Sequence, residues 1–208
     1  MFDYENKYLK LGKKFIAGID EAGRGPLAGP VACCAVIMPL DSDKIIDGVN
    51  DSKKLSPKKR DELYEKIKQT ALDYSVVFVS EKEIDEINIL NATKKGMSKC
   101  IDSLRINPNI ILVDAVKGLD TEIECESIIK GDSLSYSIAC ASILAKVERD
   151  RMMEKYDKEF IHYEFSRHKG YGTKLHIELL KKYGPCKIHR RSFIKNFIGD
   201  ESEIKDIG

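Results

Sequence analysis

Asp20 and Glu21 close the apolar run Phe15–Ile19, and Gly23, Arg24 and Gly25 follow at once. A second apolar run, Ile110–Val113, ends on Asp114, and a third, Ile123–Ile129, is followed by Lys130, Gly131 and Asp132. A buried run that delivers an acid at its end is thus used repeatedly. Carboxylate oxygens are the donors that hard divalent cations take, and magnesium also keeps waters and accepts a substrate phosphate. Brought to ~4 Å at an effective dielectric near 20, each pair of anions repels by about 4 kcal/mol. Such a cluster needs cations or shifted protonation. Two ions there stabilise the attacking and leaving oxygens of an in-line displacement. The neighbouring glycines let backbone approach a ligand that a β-carbon would block. Taken singly, each acid has a plainer reading, Asp114 as a turn former and Asp132 as an Asx turn or helix cap. Successive strand side chains leave opposite faces. Asp20 and Glu21 therefore share a site only if the chain turns there, which Gly23 would allow.

The elements that must position these acids follow from periodicity and punctuation. Phe15–Ile19, Val31–Met38, Tyr74–Val79, Ile110–Val113 and Ile123–Ile129 read as buried strands. Ser56-Pro57 starts a helix whose apolar positions are Leu63, Ile67 and Leu72. A short acidic helix after Ser80 precedes a longer one from about 91 to 104, with Ile89, Met97, Ile101 and Leu104 as its buried stripe. A helix from about 137 to 156 carries small residues suited to packing on a sheet, and Lys174–Tyr183 is a short helix closed by Gly184-Pro185. The expectation is an α/β fold, a mixed central sheet flanked by helices, within one domain over residues 1–208. Residues from about 1 to 155 would form the sheet-containing core, and those from about 156 to 208 a helical C-terminal extension.

Composition removes other classes. Hydrophobic content of 42% supports a core, and no apolar run is long enough to cross a bilayer. The segment Met1–Lys14 is polar and acidic, unlike a secretory signal. The six cysteines show no Cys-x-x-Cys spacing, so zinc is not expected, and reduced thiols in a cytoplasmic protein are the simplest reading. The four histidines are not spaced as ligands, and no catalytic histidine is expected. Net charge is only +1, but Lys53, Lys54, Lys58, Lys59 and Arg60 cluster, as do Arg167, His168, Lys169 and Lys174, then Arg190 and Arg191. Ser142, Lys146 and Arg149 share one helix face. Lys53, Lys146 and Arg149 are candidate phosphate contacts of a duplex binder, against the alternative of ordinary mixed surface charge.

The segments Asp20–Val31, Asp51–Ser56, Lys130–Ser133, Ala141–Val147, His168–Thr173 and Ile188–Phe193, in that order, closely resemble the ribonuclease HII family over most of the chain. The resemblance implies a ribonuclease H-like fold. It also implies an endonuclease that cuts RNA in RNA/DNA hybrids and incises 5′ of single ribonucleotides in duplex DNA, leaving a 3′-hydroxyl and a 5′-phosphate. A role in removing ribonucleotides from DNA goes with it. It makes Asp20, Glu21, Asp114 and Asp132 the catalytic ligands of two Mn2+ or Mg2+ ions. Gly23, Arg24 and Gly25 become the element whose backbone meets the ribonucleotide, and Tyr171 the residue that reads the 2′-hydroxyl. That hydroxyl is what separates RNA from DNA, and a tyrosine brings a flat face and a hydroxyl together. The partners implied are RNA/DNA hybrids and ribonucleotide-containing duplex DNA, with no membrane and a monomeric protein. Ribonuclease HIII is the nearest rival, but its usual extra N-terminal domain is not expected ahead of a motif starting at residue 20. Departures from the family's pattern are Ala115 where glycine is usual, cysteines at 33, 34 and 140 where alanines are common, and Lys187 for a frequent proline.

Overall fold

The computed structural model describes residues 1–198. The strands are β1 (Ile16–Ala22), β2 (Val31–Ile37), β3 (Asp73–Val79), β4 (Ile110–Asp114) and β5 (Cys125–Ile128). The helices are α1 (Asp3–Lys10), α2 (Pro57–Thr70), α3 (Glu81–Asp102), α4 (Gly131–Leu134), α5 (Tyr136–Glu159), α6 (Phe165–His168), α7 (Lys174–Tyr183) and α8 (Arg191–Ile194). The strands form one sheet in the order β3-β2-β1-β4-β5. β1, β2 and β3 pair antiparallel, whereas β4 runs parallel to β1 and β5 parallel to β4. The sheet is therefore mixed, as expected.

Strand parity sorts the side chains between two layers. Cys34 and Val36 face α2 and α5 with Leu63, Tyr64, Ile67 and Ala141. Ala17, Ile19, Cys33, Ala35, Ile111 and Val113 face α3, against Met97, Cys100 and Ile101. Ile16, Ile110 and Leu112 lie on the α5 side with Ile138. α5 rests directly on β1 because residue 18 is glycine, and a β-carbon there would overlap the backbone of Ser137 and Ile138. The buried Ala139, Cys140, Ala141 and Ala145 keep that approach close, so Cys33, Cys34 and Cys140 act as small apolar packing residues.

Most element boundaries match the sequence reading, and the differences have local causes. Leu72 is exposed and not part of the α2 stripe, because the chain turns extended at Ala71, and Tyr64 is buried instead. α3 is interrupted at Asn88 (φ 66°), whose side chain accepts from Asn91 N–H at 3.1 Å. This break separates the short acidic segment from the longer helix. Ile123 belongs to a turn held by Thr121, and Ile129 is exposed, which shortens β5 at both ends. α1 was not foreseen. It is fastened by the fully buried Glu5, which accepts from Ser135 Oγ at 2.6 Å and Ser137 N–H at 2.9 Å, at the start of α5. The acidic tail from Asp200 lies outside the described residues.

Candidate active site

β1 and β4 are parallel neighbours with Ile19 paired to Val113, so their next residues, Asp20 and Asp114, emerge side by side. Both continue the parity of Gly18 and Leu112 and face α5. β5 delivers the chain to α4, where Asp132 sits in the first turn. The outcome is one group: Asp20, Asp114 and Asp132 each offer a carboxylate oxygen, all within 4.8 Å of one another. The site lies at the carboxyl ends of parallel strands, where open α/β sheets leave their ligand crevice. Asp114 Oδ1 accepts from Gly131 N–H at 2.7 Å, which ties two of the acids into one turn. Burial first, then the charges of Glu21 and Asp114, pushes the Asp20 carboxyl well above the usual carboxylate range. Burial and Asp114 also raise Asp132, against the pull of Lys53.

Glu21 stands outside this trio. β1 stays paired through Ala22, so no turn at Glu21 brings it round and strand parity sends it off the face of Asp20, yet its charge still reaches Asp20 and Asp114. Glu21 Oε1 lies 3.5 Å from Arg24 Nη1, while Oε2 is buried with no hydrogen-bond partner. Glu21 nevertheless lines a cleft of about 210 Å³ with Gly23, Arg24, Gly25, Lys53, Lys146 and Tyr171. Lys53 Nζ is 3.8 Å from Asp132, and Lys146 pairs with Asp150 at 2.6 Å. Tyr171 is 41% exposed, with Lys146 Nζ 5.9 Å from its ring centre.

Arg149 corrects the sequence reading. It is fully buried and donates to the carbonyls of Pro30 (3.0 Å), Ala28 (3.2 Å) and Lys169 (2.9 Å), so it cannot reach a phosphate. The helix-face argument placed it with Ser142 and Lys146, but that face turns under the loop after β1. Arg190, from the third basic group, is buried likewise and donates to the carbonyls of Gly23 (2.6 Å), Arg24 (2.9 Å) and Gly29 (2.9 Å). The 23–30 loop is thus moulded around two guanidinium groups. A β-carbon at Gly23 (φ 96°) would overlap the Arg149 side chain, so the loop closes on Arg149 only with glycine there.

The ribonuclease HII family model matches residues 17–196. The chain belongs to the ribonuclease HII family. Ribonuclease HII of Caldicellulosiruptor bescii is 56% identical over 95% of both chains. Among solved structures, ribonuclease H2 of Pyrococcus horikoshii superposes with a TM-score of 0.72 at 31% identity, covering 86% of this chain and 93% of that one. The ribonuclease HII of Archaeoglobus fulgidus, solved in complex with PCNA, gives 0.70 at 32% identity, covering 81% and 88%. The fold is that of ribonuclease H, and the chain is a ribonuclease H-type hydrolase, an endonuclease acting on RNA in RNA/DNA.

Within this ribonuclease HII site some participants had no assigned role in the sequence reading. Asp51 caps the turn Ser52–Lys54 by accepting from Lys53 N–H at 2.9 Å, and its charge adds to the shift of Asp132. Ser142 shares a 2.9 Å contact with Ser52 Oγ and draws the Asp20 carboxyl down slightly against the larger effects that raise it. Both lie in the motif segments, but a serine two turns into a helix carries no signal of its own. Ala115 has φ 51°, a left-handed conformation that explains why glycine is usual there. The donor set suits a hard divalent cation: three close carboxylate oxygens, a buried Asp20 carboxyl raised well above its usual range by burial and like charges, and an unpartnered buried oxygen on Glu21. No helix is long and apolar enough to cross a membrane among the described residues.

Proposed function

We propose that this chain cleaves the RNA strand of RNA/DNA hybrids and incises 5′ of single ribonucleotides in duplex DNA, leaving a 3′-hydroxyl and a 5′-phosphate. Ribonucleotide removal from DNA is its cellular role in this reading. The observation that carries it is the trio Asp20, Asp114 and Asp132, oxygens within 4.8 Å, beside a cleft lined by Gly23, Arg24, Gly25 and Tyr171. Asp20 is taken as the shared ligand, and Glu21, whose charge reaches Asp20 and Asp114 from the next position on β1, as the fourth through its unpartnered Oε2. When bound, two Mg2+ or Mn2+ ions supply the charge that activates water and stabilises the leaving 3′-oxygen.

The chain's own residues do the selecting. Backbone groups of Gly23 and Gly25 meet the ribose of the target nucleotide, and Tyr171 presents a flat face and a hydroxyl beside them. A deoxyribose leaves those polar groups without a partner, which is how a hydrogen-bonding site rejects an analogue lacking one hydroxyl. Lys53 and Lys146, both at the cleft, hold flanking phosphates, and Arg24 stays paired to Glu21 until substrate arrives. The protein works as a monomer in the cytoplasm, the compartment that six unpaired cysteines suit. The test is incision of a duplex containing one ribonucleotide, compared with an all-DNA duplex, across divalent cations and with chelator. Cation-dependent cutting confined to the ribonucleotide, lost in Asp132→Asn with duplex binding retained, is the expected result. Wild-type cutting by Asp132→Asn would remove the ligand assignment.

A further inference from the structure

Of the four histidines in the chain, His168, His176 and His189 come together in a buried row beneath the loop that presents Tyr171. The His168 and His176 rings stack at 4.3 Å and 15°, and His189 lies 5.2 Å beyond His176. Tyr163 and Phe165 wall the row. The backbone dictates where each proton sits. Gly170 N–H donates to His168 Nδ1 at 3.2 Å, so the His168 proton is on Nε2 and is donated to the Tyr163 carbonyl at 2.8 Å. Cys186 N–H donates to His189 Nδ1 at 3.0 Å, so His189 carries its proton on Nε2. That proton points at His176 Nε2, 3.1 Å away, which must therefore accept. His176 is left with its proton on Nδ1, donated to the Tyr171 carbonyl at 3.0 Å. Every bond in the row requires neutral rings, and a second proton on His176 or His189 would set two N–H groups facing each other. Burial supports neutrality, lowering His176 to about 4 and His189 to about 3.

The row ends on the one residue of its loop that enters the cleft. Because Tyr171 is 41% exposed, with Lys146 and Arg149 near its ring, side-chain packing alone does not fix its place. Its backbone does: the Tyr171 carbonyl takes the His176 proton, and the preceding Gly170 carbonyl accepts from Leu27 N–H at 2.8 Å, in the loop that also carries Gly23 to Gly25. The row's far end, His189, is followed directly by Arg190, which grips Gly23 and Arg24. We propose that His189 and His176 form a proton-ordered strut that sets Tyr171 against the glycine loop, making His176 a positioning residue for ribose discrimination. This rests on the recognition role given to Tyr171 above.

The strut is tested by its tautomers and by two substitutions that divide the imidazole. Nitrogen-15 spectra of the imidazoles should show His176 protonated on Nδ1 and His168 and His189 on Nε2. In His176→Asn the amide N–H replaces Nδ1–H, while in His176→Gln the side-chain amide stands at the Nε2 position and the donor to Tyr171 is lost. For single-ribonucleotide incision, kcat/KM of His176→Gln should fall about tenfold or more, the scale of a small misplacement of a substrate-positioning group. His176→Asn should lose less. Adding His176→Gln to Tyr171→Ala should cost nothing further, since the strut acts through Tyr171. Should His176→Gln not fold, His189→Leu removes the donor to His176 Nε2 and should lower the same rate. Spectra placing the His176 proton on Nε2 would overturn the strut whatever the rates. A folded His176→Gln or His189→Leu with wild-type rates, beside an impaired Tyr171→Ala, would overturn the positioning role. An unimpaired Tyr171→Ala would instead sink the recognition reading, and with it ribose discrimination as the strut's purpose.

Discussion

Replacing Asp20 by asparagine should make the cation-free protein more stable while destroying its activity. Asp20 is 3% exposed, and Asp114 and Asp132 oxygens lie within 4.8 Å. At that separation and an effective dielectric near 20, each ionised pair repels by about 3.5 kcal/mol, and by more if closer, so two pairs repel by roughly 7 kcal/mol at the least. The wild-type protein relieves that repulsion through Asp20, whose carboxyl is raised well above its usual range by burial and then by Glu21 and Asp114. The sign follows from linkage. In the window between the ordinary carboxylate value and the raised one, the native state binds more protons than the unfolded chain, so stability falls as pH rises. The slope for one group is about 1.4 kcal/mol per pH unit. Across that window the variant, which has no carboxyl to titrate there, should gain on wild type by that slope, or roughly 3–6 °C in melting temperature per pH unit for a chain of this size.

The measurement is thermal unfolding of both proteins in chelator from about pH 5 to about pH 8, repeated with Mg2+ or Mn2+. Wild type in chelator should lose stability with rising pH relative to Asp20→Asn. Added cation should restore wild type and leave the variant nearly unchanged, because a site without its shared ligand binds the ion poorly. Parallel pH curves together with equal gains on adding cation would refute the clustered-anion reasoning. Such a result would mean that the three acids are solvated independently, whatever their spacing.

Arg149→Met should destabilise the fold by about 3–5 kcal/mol in urea unfolding, because it strands the carbonyls of Pro30, Ala28 and Lys169; a loss under about 1 kcal/mol would show that water takes over those bonds. Ala115→Gly should stabilise by a few tenths of a kcal/mol to about 1 kcal/mol in the same assay, since relief of the left-handed backbone (φ 51°) outweighs the greater freedom of glycine in the unfolded chain. Lys53→Ala should weaken duplex binding roughly equally for all sequences and flatten the dependence of log affinity on log salt by about 1, with an unchanged slope ruling out a phosphate contact.

The parts of this site that were legible in the sequence are those whose chemistry is local. An apolar run ending in an acid announces a strand and its cargo together, which points to Asp20 and Asp114, whereas Asp132 lies past β5 in the first turn of α4 and is marked out by its motif segment instead. Parity also held a warning about Glu21, since β1 stays regular through Ala22. Arg149 was misread because helix spacing says which residues share a face but not what covers it. Its neighbour Lys146 keeps a partly exposed ammonium at the cleft, while Arg149, one turn along, passes under the 23–30 loop. The histidines were passed over because sequence spacing measures ligand geometry only within one element. His168, His176 and His189 come from α6, from α7 and from the loop before α8, and nothing short of the fold brings them together.

Arg149, Arg190 and the three aspartates pose one electrostatic problem with two solutions. Buried guanidinium groups ordinarily seek carboxylates, and acids are at hand in the same active-site region. Yet among the described residues neither arginine has an ion-pair partner within 4.0 Å, and each is satisfied by three backbone carbonyls. A carbonyl offers the guanidinium an acceptor without a neutralising charge, so the positive field persists under the loop that faces substrate. Had Arg149 paired with Asp20, the pair would have stabilised the cation-free fold and filled the place proposed above for a divalent ion. Keeping the arginines on carbonyls and the acids on each other therefore separates a positive loop from a negative pocket, the two poles that the proposed function needs for phosphate and metal. The stability lost in that separation is what the Asp20→Asn melting curves would measure.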